Sequence, residues 1–259
     1  MRSALKTLVL GVVAAGWLLT PAAWAQDEAV SGLPIISRRA FSFLLLLPQP
    51  LPPVTDLERV LNRMDEAART FTSVEASVSW DEYQKVIDEA ETEKGKVYFR
   101  REGGEIQMAA DFVEPDKKNV VYSGGKVQVY QPKIDQVTEY LAGKNRSDVD
   151  SFLVLGFGGR GHDLLKSYEV KFLGTETAGG VQAEKLELIP KSERFRNNIA
   201  RIWLWIDPAR GISVQQQLFE PGGDYRLAKY SDIKINQKLP GNAFKLPTTK
   251  KTKFISPQG

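Results

Sequence analysis

His162 is the one histidine in a chain of 259 residues that contains no cysteine. Metal sites built on His or Cys, and Ser-His-Asp or Cys-His arrangements, therefore have at most one candidate base. That histidine closes the stretch Gly156-Phe157-Gly158-Gly159-Arg160-Gly161-His162. The glycines lack the Lys-Ser/Thr ending of a phosphate loop and do not follow a parallel strand, so a nucleotide role is not expected. A lone loop histidine of this kind is expected to be solvated rather than catalytic. Asp88-Glu89-Ala90-Glu91-Thr92-Glu93 gathers carboxylates as a calcium site would, but without the D-x-D-x-D-G spacing it reads as the solvated end of a hairpin. Lys245, Lys250, Lys251 and Lys253 could attract anionic lipid or a partner; the plainer reading is the solvated tip of a last strand. No paired acidic motif supports a hydrolase. The inventory predicts a protein that is not an enzyme and needs neither metal nor cofactor.

The ends of the chain bound its location. Arg2 and Lys6 precede an apolar run from Leu8 to Leu19, and Ala23-Trp24-Ala25 supplies an A-x-A site, so residues 1–25 read as a signal peptide cleaved after Ala25. The run falls short of the roughly 20 residues of a membrane-spanning helix, and the expected location is the periplasm. Without cysteine there is no disulfide, no thiolate chemistry and no lipid attachment at the cleavage site. Taking Arg2 and Lys6 from 35 basic residues leaves 33 against 32 acidic ones, a balance that draws no nucleic acid. Residues 26–55 form a Pro-rich linker. Within it Phe41 to Leu47 lies beside Arg38-Arg39, a poor twin-arginine signal because the apolar run is too short and no A-x-A follows. The run itself could dock on the domain or touch a membrane surface.

Residues 56–259 form the domain. Thr55-Asp56-Leu57-Glu58 has the capping-box spacing and opens a helix to about Phe71, with Leu57, Val60, Leu61, Met64, Ala68 and Phe71 on one stripe. The period then changes to two, giving expected strands at 73–82, 84–92, 95–102, 105–112, 118–123, 126–131 and 135–141. Gly103-Gly104 and Gly124-Gly125 sit where two-residue hairpin turns belong. A Gly-broken apolar stretch from Ser147 to Leu165 suits a mobile cover. Strands resume at 167–174, 181–189, 200–207, 212–220, 224–232 and 250–255. Trp203 and Trp205 oppose Ile202, Leu204 and Ile206, so something is expected to cover that second face as well. This is a mainly β (α+β) domain whose large curved sheet must close, split or be capped.

The order of elements resembles the periplasmic lipoprotein carriers, the LolA-like family. The resemblance rests on the helix Leu57 to Phe71, then Gly95-Lys96-Val97-Tyr98-Phe99-Arg100-Arg101, then Pro115 with Val120 to Pro132 and Asp135-Gln136-Val137. Leu186 to Pro190, Ile202 to Asp207 and Phe244-Lys245-Leu246-Pro247 extend it, so that it covers roughly residues 56–255. It implies a half-open antiparallel β-barrel of about 11 strands with a helical lid over an apolar cavity. It also implies a monomeric periplasmic carrier that takes acylated lipoproteins or lipids from inner to outer membrane. Its implied partners are an inner-membrane ABC-type releasing complex and an outer-membrane receptor. A lipoprotein- or lipid-sensing module that regulates a membrane partner is the alternative. In the family an arginine at the position of Arg101 bonds to lid backbone and holds the empty cavity shut. Here the family's following Pro is replaced by Glu102, a possible salt-bridge partner, and the plain reading of Arg101 is a strand end reaching water. On this plan Val97, Phe99, Ile106, Met108, Phe112, Val127, Val129, Ile202, Leu204 and Ile206 line the acyl-chain cavity, or else pack as an ordinary core. Leu61, Met64, Phe152 and Leu155 are the lid residues that fill it when empty.

Overall fold

Helix α1 runs from Asp56 to Thr70, and Thr55 caps it by accepting the Glu58 N–H at 3.2 Å. Only this half of the expected capping box forms in full, because the Glu58 carboxylate is engaged by His162 instead. The stripe behaves as its spacing predicts: Val60, Leu61, Met64 and Ala68 are buried. The computed structural model describes residues 55–141, 152 and 155–256, within the unit Val54–Gly259. The expected signal peptide, nearly all of the linker with its run Phe41 to Leu47, and much of Ser147 to Leu165 lie outside the described residues.

Twelve strands form one sheet. They are β1 (Ser73–Gln84), β2 (Glu89–Glu102), β3 (Glu105–Glu114), β4 (Lys118–Ser123), β5 (Lys126–Gln131), β6 (Gln136–Leu141), β7 (Tyr168–Ala178), β8 (Val181–Pro190), β9 (Arg201–Asp207), β10 (Ile212–Phe219), β11 (Tyr225–Ile235) and β12 (Lys253–Ile255). Their order is β12-β6-β5-β4-β3-β2-β1-β11-β10-β9-β8-β7, and the sheet stays open. Two short helices, α2 (Gly161–Ser167) and α3 (Glu193–Arg196), complete the main elements.

Three boundaries differ from the sequence reading. Strands expected at 84–92 and 95–102 are one strand, β2, because the chain reverses at Lys85–Asp88 and only a register shift marks Lys94/Gly95. Glu93 and Lys94, between the two expected strands, pair with Trp80 and Ser79 in the ladder. The last strand shortens to Lys253–Ile255 and pairs with β6 in parallel. Helix α3, capped by the Ser192 side chain, occupies a gap read as loop. The two hairpin glycine pairs do take positive φ, 59° and 86° at Gly103-Gly104, and 58° and 77° at Gly124-Gly125.

Residues opposite one another in an antiparallel pair share a face, so the register traces one surface across the sheet. Phe99 faces Met108 and Val74; Met108 faces Tyr122, which faces Val127. In the other direction Trp80 faces Ala228, Ala228 faces Gln216, and Gln216 faces Leu204, which faces Leu186. This is the face on which the lid lies. On the reverse face Leu239, Phe244 and Leu246 of the C-terminal segment pack with Ala243 over Tyr98, Ala109 and Val121. The face that carries Trp203 and Trp205 is covered as expected, Trp205 being buried with Ala178, Ala183 and Val214 while Val181, Trp203 and Ile233 pack against them. Lys185 sits 3.9 and 4.6 Å from the ring centroids of Trp203 and Trp205, and Arg201 5.0 Å from that of Trp203. Lys185 of the neighbouring strand β8 and Arg201 of β9 itself thus stack on the indoles, a further stabilising contact.

Candidate functional site

All ten residues expected to line a cavity fall on the lid face, and they divide into two groups. Ile202, Leu204 and Ile206 are fully buried together with Leu186 and Leu188, and Val97, Phe99, Phe112 and Val127 are buried as well. Ile106, Met108 and Val129, on the β3–β5 side, are only half-buried. Among the lid residues, Leu61, Met64 and Leu155 are buried and Phe152 is half-buried, its ring 6.1 Å from that of Phe195 in α3.

The centre of the face is filled by a residue the sequence reading did not single out. Phe157 has no exposed surface. It stacks on Phe99 at 5.0 Å and meets Tyr230 edge-on at 4.9 Å. Both are favourable aromatic geometries. The backbone can descend this far only because glycine flanks the ring on either side. At Gly158, with φ of +78°, a Cβ would lie 2.4 Å from the Phe71 ring, and at Gly156, with φ of +80°, 2.2 Å from Ser213 Cβ. Gly-Phe-Gly within an apolar stretch is the signal that would have identified the plug. Burial pushes the Tyr230 hydroxyl above its ordinary range, so it stays neutral beneath the ring.

Two strands hold the plug from opposite sides. On β2, Arg101 donates through Nη1 to Ala68 O at 3.0 Å in α1 and through Nη2 to Gly158 O at 2.6 Å. Its guanidinium lies 5.8 Å from the Phe71 ring. Glu102 does not compete, since it pairs with Arg100 at 2.7 Å. On β10, the buried Gln216 donates to Leu155 O at 2.6 Å, and Ser213 N–H donates to Gly156 O at 2.9 Å. Gln216 lies in a Gln215-Gln216-Gln217 run, where only its phase with the buried Leu218 marks the middle member as inward. Every one of these bonds ends on a backbone carbonyl of the lid. They therefore set its position without dictating its side chains.

His162 is not solvated as expected. Its Nδ1 lies 2.9 Å from Asp65 Oδ2, its Nε2 2.8 Å from Glu58 Oε1, and its N–H donates to Asp65 Oδ1 at 3.2 Å. The bonds to Glu58 and Asp65 hold the imidazole above its ordinary value, against a smaller opposing effect of burial. For Asp65 burial alone would raise the carboxyl, but its bonds to His162 and the charge of Arg160 keep it below the usual range. A Cβ on Gly161 would lie 2.3 Å from Leu61 O, which shows how closely α2 approaches α1. Arg59 and Arg63 tie the other side of α1 to Glu184 and to the Pro208 and Ala209 carbonyls.

Toward the β1–β2 hairpin the lid face becomes polar. Lys118 pairs with Glu93 at 2.5 Å and Arg226 with Glu220 at 2.8 Å, while burial raises the Glu82 carboxyl. Of the acidic cluster at 88–93, Glu89 and Glu91 are exposed as a hairpin end should be, and Glu93 is half-buried by its pairing with Lys118. Lys245, Lys250, Lys251 and Lys253 are exposed. Among the described residues, no three His, Asp or Glu side chains gather to hold a metal, and no helix is long and apolar enough to cross a membrane.

An open antiparallel sheet with one apolar face plugged by a helical lid defines a half-barrel class of β protein. The chain belongs to the family described as outer membrane lipoprotein carrier protein LolA, whose profile matches residues 73–247. The match is shorter than the resemblance suggested, leaving α1 and β12 outside it. No curated protein matches the chain. An uncharacterised conserved protein from Thermus thermophilus shares the fold with a TM-score of 0.50 at 13% identity, covering 78% of this chain and 99% of that one. A chain of the Pseudomonas aeruginosa MucA/MucB complex gives 0.47 at 17% identity, covering 74% of this chain and only 61% of its own length. The Mycobacterium tuberculosis lipoprotein LppX gives 0.42 at 13%, covering 72% and 99%.

Proposed function

We propose that this protein is an exported periplasmic carrier. It binds acyl chains of lipoproteins or lipids against the lid face and ferries them from inner to outer membrane, receiving them from an ABC-type releasing complex and passing them to an outer-membrane receptor. The observation that carries the reading is the plug: a fully buried aromatic side chain on a Gly-flanked lid segment, held by Arg101 and Gln216 through backbone carbonyls. Acyl chains contribute about 0.8 kcal/mol per methylene removed from water, so one long chain alone gives on the order of 10 kcal/mol of gross attraction. A permanently open cavity would hold such cargo too tightly to release it. Here Phe157, Leu61, Met64 and Leu155 occupy the apolar face themselves. Binding exchanges those contacts for acyl contacts, net affinity falls, and a better acceptor can take the cargo. The half-buried Ile106, Met108 and Val129 offer the side from which a chain first touches the face. Arg101 is the latch, because its removal frees both α1 and Gly158 at once.

Native mass spectrometry of the protein purified from bacterial periplasm, wild type against Arg101→Leu, tests this. Acylated peptide or lipid should co-purify and be retained more heavily by the variant, whose closed state competes less well. Cargo-free protein in both forms, with no uptake of offered lipoprotein or phospholipid, would sink the carrier reading. If that protein instead stayed bound to a membrane protein, it would be a sensing module.

A further inference from the structure

We infer that His162, clamped between Glu58 and Asp65, makes the lid a proton-dependent gate that is held shut by the protonated imidazole and eased open as pH rises. The inference rests on the acyl-binding reading above and adds its regulation. Both imidazole nitrogens end on carboxylates of α1, at 2.8 and 2.9 Å, while the ring belongs to α2, which follows the plug segment in the chain. The clamp therefore joins the two pieces that must part for the face to open. A protonated imidazole donates from both nitrogens and carries a charge between two anions; a neutral one can donate from only one. Deprotonation thus removes one bond outright and the charge from the other.

Of the other charges around the ring, Arg160 opposes protonation of the imidazole as a like charge, and the rest are paired or turned away. Arg160 in the preceding loop reaches Asp65 Oδ2 at 3.6 Å, and within α2 Asp163 is paired with Lys166 at 2.7 Å. In β7, which also packs on α2, Glu169 and Lys171 are exposed. Arg59 of α1 is occupied by Asp56 and Glu184. The sign follows from the closed geometry. His162 lies above its ordinary 6.5 when clamped, so the clamp contributes fully below that value and is lost as pH rises through the raised one. Asp65 is held below its ordinary 3.8, so its contribution is lost only in strong acid, as pH falls through the lowered value. Opening near neutral pH therefore releases a proton, and by linkage bound cargo must lower the affinity of His162 for that proton.

Pyrene-labelled lysophosphatidylcholine, whose headgroup does not titrate between pH 6 and 9, is a suitable probe. Wild-type affinity should rise about five-fold or more over that range, the usual size of a coupling between two sites. His162→Gln should bind at every pH as the wild type does near pH 9. Because the chain has one histidine, untagged protein gives a single imidazole titration by NMR, and saturating probe should shift it to lower pH. The absence of cysteine permits nitroxide labels at Asn62→Cys in α1 and Lys166→Cys in α2. Their separation should gain a longer component at pH 9 that His162→Gln shows at every pH. A wild-type spacing that ignores pH, or a titration that bound probe leaves in place, overturns the gate even if lipid binds well. Failure to bind the probe at any pH, with the spacing still responding to pH, keeps the gate and defeats the acyl-binding reading.

Discussion

Phe157→Ala is expected to destabilise the empty protein and to raise its affinity for acyl ligands. The ring is fully buried between Phe99 and Tyr230. Truncating a buried phenylalanine costs about 3–5 kcal/mol through lost transfer energy and the cavity left behind. In the carrier reading that cost falls on one state only. The plug has left the face when cargo occupies it, so the liganded form loses little, and the difference appears as tighter binding. A bias of about 3 kcal/mol is roughly a hundred-fold in affinity. Thermal unfolding of lipid-free protein and titration with a fluorescent lysolipid measure the two halves. A lower unfolding midpoint with unchanged affinity would show that Phe157 is ordinary core in both states. Gain of affinity with loss of stability is what a displaced plug requires.

Much of this arrangement is legible in the sequence, and the limits have physical causes. Period-two alternation puts the ten residues from Val97 to Ile206 on one face of the sheet, because each obeys pleat geometry. Helix α1 was equally plain from its stripe and from Thr55. What the pattern could not give is how the lid enters the sheet. Phe157 and Gln216 are placed by close contact between segments about 60 residues apart, and Gln216 looks like a solvent residue until Leu155 O is found against it. His162 misled for a related reason. Its charged neighbours Arg160 and Asp163 give no sign of the clamp, whose two carboxylates come from a helix about 100 residues earlier. Arg101 could be placed at the correct strand end by alternation, but its contacts with Ala68 O and Gly158 O depend on where two other segments come to rest.

Gly161→Ala tests the packing on which both latch and clamp depend, and its effect should be nearly as large. At this position the new Cβ would stand 2.3 Å from Leu61 O and 2.7 Å from Leu61 Cα, both backbone atoms that cannot rotate away. Overpacking of this kind costs about 1–3 kcal/mol. The chain can relieve it only by moving α2 off α1, because the sheet beneath Leu61 leaves that helix no room to retreat. Amides of α1 should therefore lose roughly ten- to a hundred-fold of their hydrogen-exchange protection, while those of β2 to β4 keep theirs. Gly222→Ala is the control, since a Cβ there meets nothing. Lysolipid affinity should rise with the lost protection, as it does when any contact special to the closed state is removed. If protection fell throughout the sheet instead, α1 and α2 would be part of one cooperative core, and the lid would have no open state of its own to offer a ligand.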